Sequence, residues 1–243
     1  MCSAGSPGWN GSYDLYEPLS QLLNQMQPEV LEVQGGEILI QKKTMQWLEK
    51  EKEKLPETWF TVVTNASVPI EMKPVVEHLF RSVTVSFVGF QPETYNRIMG
   101  LDLHQTRNFV ESLIFGKSTL LTIKFLITPL NLHEVALFYE WALPLKPYGI
   151  VLAYAGMTDQ SIQMDGPYNY WQKIFDRTGK RLRECLYAKR QLIQDHGILL
   201  QFEDRAKTVF DLSDDFLSKL GANSMIDVPI TPWETISLGS GIQ

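Results

Sequence analysis

Cysteine is scarce in this chain: Cys2 and Cys185 are the only two in 243 residues. A disulfide framework therefore does not hold the fold together. A zinc or iron–sulfur site built from cysteine alone is also out of reach within one chain, since such sites take three or four thiolates. Histidine is no richer. His78, His104, His133 and His196 lie far apart and none falls in an HExxH pattern, so no metal site declares itself. Long apolar runs are missing too. Phe125 to Leu130 and Tyr148 to Gly156 fall well short of the ~20 residues that cross a bilayer, and the first residues lack a basic-then-apolar leader pattern. A cytoplasmic protein with no membrane partner is expected. Nor is there an excess of positive charge: 22 Lys+Arg against 28 Asp+Glu leave −6, so no overall field gathers phosphate backbones. Nucleic acid is not an expected partner.

What is present is globular composition, 44% hydrophobic and 21% charged, which excludes a disordered chain and allows a sizeable core. Residues 1–12 are small, polar and rich in Gly and Pro, and read as an irregular loop. Apolar spacing then predicts a helix over 14–27, a strand in LEVQG, a helix over 42–54, a strand over 59–64 and a short helix over 72–80. The alternation continues with a strand over 82–90, one long helix from Pro92 to about 115, a strand over 120–128, a helix from Asn131 to Trp141 and a strand over 148–155. The strands are largely continuous in apolar character, as strands buried on both faces are. Right-handed βα crossovers give a parallel sheet, either doubly wound or a barrel, and in both the ligand site lies at the carboxyl ends of the strands. Those ends fall near Gly35, Thr64, Ser86, Thr128 and Ala153. Residues 171–190 read as a basic amphipathic helix, either a solvated face or a patch for an acidic partner or nucleic acid. Residues 210–243 read as an irregular extension.

Small polar sets sit at the strand ends. Gly35-Gly36-Glu37 follows the first strand, as a tight turn or as a place where backbone approaches a ligand beside a carboxylate. Thr64-Asn65 ends the second, as a turn or a polar contact. Ser86 and Gly89 belong to the third, and Asn131 follows the fourth, as a helix N-cap or a ligand contact. The sequons at Asn10 and Asn65 are read as chance matches.

In order and spacing this set resembles the core domain of the radical SAM superfamily. QGGEILI (34–40) is similar to its GGE strand end, VVTNAS (62–67) to its Thr-Asn strand end, VTVSFVG (83–89) to its Ser-bearing strand, and IKFLITPLNLHEV (123–135) to the strand that leads to an Asn and a helix. The resemblance implies a [4Fe–4S] cluster and S-adenosylmethionine, cleaved to a 5′-deoxyadenosyl radical that abstracts hydrogen from a small-molecule or peptide substrate, with an electron donor such as a flavodoxin or ferredoxin. It also implies that Gly35, Gly36 and Glu37 receive the amino group of the cofactor, that Ser86 and Asn131 contact its ribose or carboxylate, and that Thr64 and Asn65 are further contacts. The family motif CxxxCxxC is not complete here. Cys2 fits its third cysteine, which implies a chain truncated within the motif and lacking the first barrel strand. The expected architecture is thus a partial (β/α)6 barrel over 1–155 with a mainly helical extension over 156–243. A cluster-free binding or regulatory protein on the same scaffold is the alternative. A phosphate-binding barrel enzyme is a weaker one, since no Gly-rich phosphate loop follows the last strands.

Overall fold

The β-rich runs become six strands in a computed structural model that describes residues 15–116, 119–154 and 168–220. These are β1 (Val30–Val33), β2 (Trp59–Thr64), β3 (Ser82–Phe87), β4 (Leu120–Ile127), β5 (Gly149–Tyr154) and β6 (Leu199–Phe202). Ten α-helices are described between and around them: α1 (Tyr16–Met26), α2 (Lys42–Lys54), α3 (Lys73–Leu79), α4 (Pro92–Met99), α5 (Leu103–Gly116), α6 (Val135–Ala142), α7 (Tyr168–Ala188), α8 (Arg190–His196), α9 (Asp204–Phe210) and α10 (Asp214–Lys219). All neighbouring strands pair in parallel and their spatial order equals their chain order, β1 to β6. A doubly wound sheet reverses its order at a switch point, and this one never does. Right-handed crossovers that always step the same way put their helices on one face, which curls the sheet into the wall of an open, partial barrel.

The strands are buried on one face, and the expectation of burial on both is corrected. Phe60, Val62, Val83, Val85, Phe87, Ile123 and Phe125 point to the helices and are fully buried. The opposite face carries Glu32, Thr61, Ser82, Thr84, Ser86, Thr122, Lys124 and Gln201, all half-buried, and the registers Glu32↔Thr61↔Ser82, Ser86↔Lys124↔Val151 and Val151↔Gln201 place them on one surface. An incompletely closed barrel leaves its concave side accessible, and Thr and Ser with their small polar tips suit it.

Two further departures have local causes. The helix expected from Pro92 to 115 is two, because Gly100 takes a left-handed φ of 70° and caps α4, after which Asp102 accepts from His104 N at 2.9 Å and opens α5. The stretch beyond 155 is helical as expected, yet it also supplies β6 to the same sheet. At the other edge β1 pairs only with β2 among the described residues, and Val30 is exposed there. Aromatic packing fills the layer between sheet and α6: Phe138 lies 4.8 Å from Phe125 and 5.7 Å from Phe87, centroid to centroid. Outside β1, α1 is fastened to α2 by a buried relay in which Trp47 Nε1 donates to Ser20 Oγ and Ser20 donates to Glu51 Oε1, both at 2.8 Å.

Candidate cofactor site at the strand ends

The chain leaves β1 through Gly35 and Gly36, whose φ values of 117° and 54° lie in the region where a side chain is strained. Both are exposed, and a Cβ at Gly35 would meet nothing within 4 Å, so the backbone here is open to an approaching group. Glu37 follows and opens a short 3-10 turn (Ile38–Ile40) by accepting from Leu39 N at 3.1 Å. The same carboxylate reaches the end of β2. Thr64 Oγ1 lies 2.7 Å from its Oε1 and 2.8 Å from its Oε2, and Asn65 N donates to Oε2 at 3.0 Å. Three donors occupy a group with about four acceptor positions, which leaves room for one more. The GGE and Thr-Asn segments, 27 residues apart, are thus one unit.

That unit is buttressed from below. Thr64 Oγ1 accepts from Ala66 N at 2.8 Å, with Ala66 held at a φ of 54°. Asn65 O accepts from Thr106 Oγ1 at 3.2 Å, and Thr106 lies 3.0 Å from the hydroxyl of Tyr95. Burial pushes the Tyr95 phenol up; its bond to Thr106 works against this, and the Glu37 charge adds to it. Tyr95 and Thr106 therefore serve the site as neutral hydrogen-bonding supports.

Ser86 lies on the concave face opposite Lys124, half-buried and with no hydrogen-bond partner among the described residues. Deeper on that face burial raises Glu32, with the Lys124 charge pulling the other way, and Thr61 keeps a buried hydroxyl unpartnered. Asn131 behaves differently. Its side chain is fully buried; Oδ1 accepts from Thr128 N at 2.7 Å, and Nδ2 donates to Val88 O at 2.7 Å and to Leu126 O at 2.8 Å. It knits the end of β3 to the end of β4 and offers no free donor to a ligand.

Glu134 is a residue that pattern reading did not single out. It is fully buried and its Oε2 accepts from Phe90 N and, at 3.1 Å, from Gln91 N, holding the loop that leads from β3 into α4. Gly89 in that loop packs so tightly that a Cβ would stand 2.9 Å from Tyr95 N. The spacing Asn131-x-x-Glu134 was the available signal, since it has the form of a helix-capping pair, although here the carboxylate reaches across to another strand end. Cys2 lies outside the described residues. Cys185, on α7, has its thiol pushed up to about 11 by burial first and by the Glu140 charge next, against Lys189, so it is a protonated packing residue at neutral pH. Among the described residues no three His, Cys, Asp or Glu side chains gather as metal ligands, and no helix is long and apolar enough to cross a membrane.

No family model and no curated protein sequence matches the chain. Solved structures do resemble it. SuiB of Streptococcus suis, determined with S-adenosylmethionine, superposes with a TM-score of 0.57 at 13% identity over 80% of this chain and 45% of its own. SuiB was also determined with its precursor peptide SuiA, with a TM-score of 0.57. Native anSMEcpe, with bound AdoMet and Kp18Cys peptide, superposes with a TM-score of 0.51 at 17% identity over 71% of this chain and 52% of its own. The chain thus spans about half the length of each of these proteins. What they share with it is the parallel α/β fold.

Proposed function

We propose that this chain is the S-adenosylmethionine-binding core of a radical SAM enzyme, with the cofactor held at the strand-end rim. The observation that carries the reading is the junction of Glu37 with Thr64 and Asn65, two residues along the chain from the open, exposed backbone of Gly35. A carboxylate with one acceptor position left, oriented by three protein donors, suits an ammonium group, and the open space over Gly35 gives that group a way in. Ser86, unpartnered on the concave face, is a donor for a ribose or carboxylate oxygen, and the charge of Lys124 beside it favours an anion. Asn131 acts by positioning the β3 and β4 ends. A small molecule or peptide is the substrate class, and it enters the polar concave face.

The two cofactors fit unequally. The rim residues suit S-adenosylmethionine. A cluster does not fit this donor set: the chain has two cysteines, and Cys185 is a half-buried thiol of raised pKa, which leaves Cys2 as one candidate thiolate where three are needed. In the superfamily, cluster and sulfonium together supply radical chemistry; here the residues present would orient the sulfonium partner, and the remaining thiolates and the electron donor would come from polypeptide outside these residues.

Isothermal titration with S-adenosylmethionine tests the reading. Saturable binding is expected, lost or weakened by roughly tenfold or more in Glu37→Gln, which removes the charge opposite the ammonium. Iron and sulfide assays after anaerobic reconstitution are expected to fall far below the four irons of a cubane. Absence of S-adenosylmethionine binding by the folded chain overturns the proposal; about four irons per chain overturns the statement about the donor set.

A further inference from the structure

The basic helix noted in the sequence has no part in the strand-end site. On α7, Lys173, Arg177 and Arg181 recur every fourth residue, which stacks them on one face at about 6 Å per step. All three are exposed, and none forms an ion pair with a described residue, whereas Lys180 and Arg183 of the same helix, which do not line the cavity beside these three, pair with Glu184 and Asp211. The three cations line one side of a cavity of about 640 Å³, and the side formed by the start of α6 and the turn before it is largely apolar, with Leu130, Ala136 and Leu137 beside the imidazole of His133. Among the described residues no carboxylate lines the cavity, and none of Gly35, Gly36, Glu37, Thr64, Asn65, Ser86 and Asn131 does. In a chain of net charge −6 this is a local reversal of sign.

We propose that this cavity docks an extended peptide in which acidic and apolar residues alternate. Residues two apart in an extended strand are ~6.6 Å apart and point the same way, close to the pitch of the cations on α7. The intervening residues point the other way, toward the apolar side formed by α6. A single phosphate asks for donors converging on one point, and these are spread along about 12 Å of helix. Apolar burial on one edge and charge complementarity on the other form a known route to peptide recognition. The inference stands independently of the cofactor reading.

The test is fluorescence anisotropy of a labelled peptide of about eight residues alternating Glu and Leu, titrated with the full chain. Saturable binding is expected, weakened roughly tenfold or more by the double reversal Arg177→Glu with Arg181→Glu and by raising salt from about 50 to about 300 mM. Lys50→Glu, exposed on α2 and outside the cavity, is expected to leave binding unchanged. Circular dichroism checks that the variants fold, and Arg177→Gln with Arg181→Gln replaces the reversal if it does not. Failure to saturate, equal binding of an alternating Lys and Leu peptide, or binding unchanged by the variants overturns the proposal. So does preferential binding of ATP or of phosphatidylglycerol vesicles at the same residues.

Discussion

The hydroxyl of Thr64 sits between both oxygens of the Glu37 carboxylate, 2.7 Å from one and 2.8 Å from the other. One side chain on β2 thereby sets the orientation of a carboxylate that follows β1. In the proposed site, a cationic group approaching over Gly35 would meet an acid already aimed, with little entropy left to lose.

Removing that hydroxyl is expected to loosen the rim. Thr64→Val takes one of three donors from a half-buried carboxylate and should cost about 2 kcal/mol in urea unfolding with the slope unchanged, while Thr64→Ser keeps most of the stability. Equal stability of the Val variant and the parent would show that the contact contributes nothing.

Asn131 offers a sharper probe, because its amide nitrogen faces two carbonyls, Val88 O and Leu126 O. In Asn131→Asp a carboxylate replaces a double donor and faces those oxygens, with an expected loss of about 3 kcal/mol near neutral pH. The deficit should shrink on acidification, since the new acid is easier to tolerate when protonated. Chemical denaturation across pH reads both parts; a deficit independent of pH would mean that the lost donor alone matters.

Cys185 makes a prediction about reactivity. With Cys2→Ser removing the other thiol, iodoacetamide labelling should be slow at mildly alkaline pH and rise with a midpoint at about 11 rather than at the ordinary 9.0. The sign for stability follows. The folded state holds its proton longer than the unfolded one, so this contribution is intact below 9.0 and is lost as pH climbs toward about 11. A labelling midpoint at the ordinary thiol value would place Cys185 in water.

Much of this architecture is readable from residue order. WFTVVT and LLTIKFLIT announce strands by their β-branched and aromatic residues, and the boundaries of β2 and α2 match the residues themselves. The sense of burial was not readable, because Thr61, Thr84 and Thr122 look like ordinary strand residues until the register shows that they share the concave face with Glu32 and Lys124. β6 escaped notice for a different reason: LLQF is four residues long and carries Gln201 in place of a continuous apolar run. At the rim, the GGE and Thr-Asn segments stood out as short patterns. Their supports did not, since Thr106 meets Asn65 across 41 residues and Glu134 meets Phe90 across 44, separations that no local pattern spans.

A sheet whose spatial order repeats its chain order can grow vectorially. Each strand that leaves the ribosome finds its neighbour already laid down, so pairing need not wait for a distant segment, and the cost of closing long loops is met one crossover at a time. Synthesis from the amino end then completes the junction of Glu37 with Thr64 and Asn65 before the carboxyl-terminal helices have been translated.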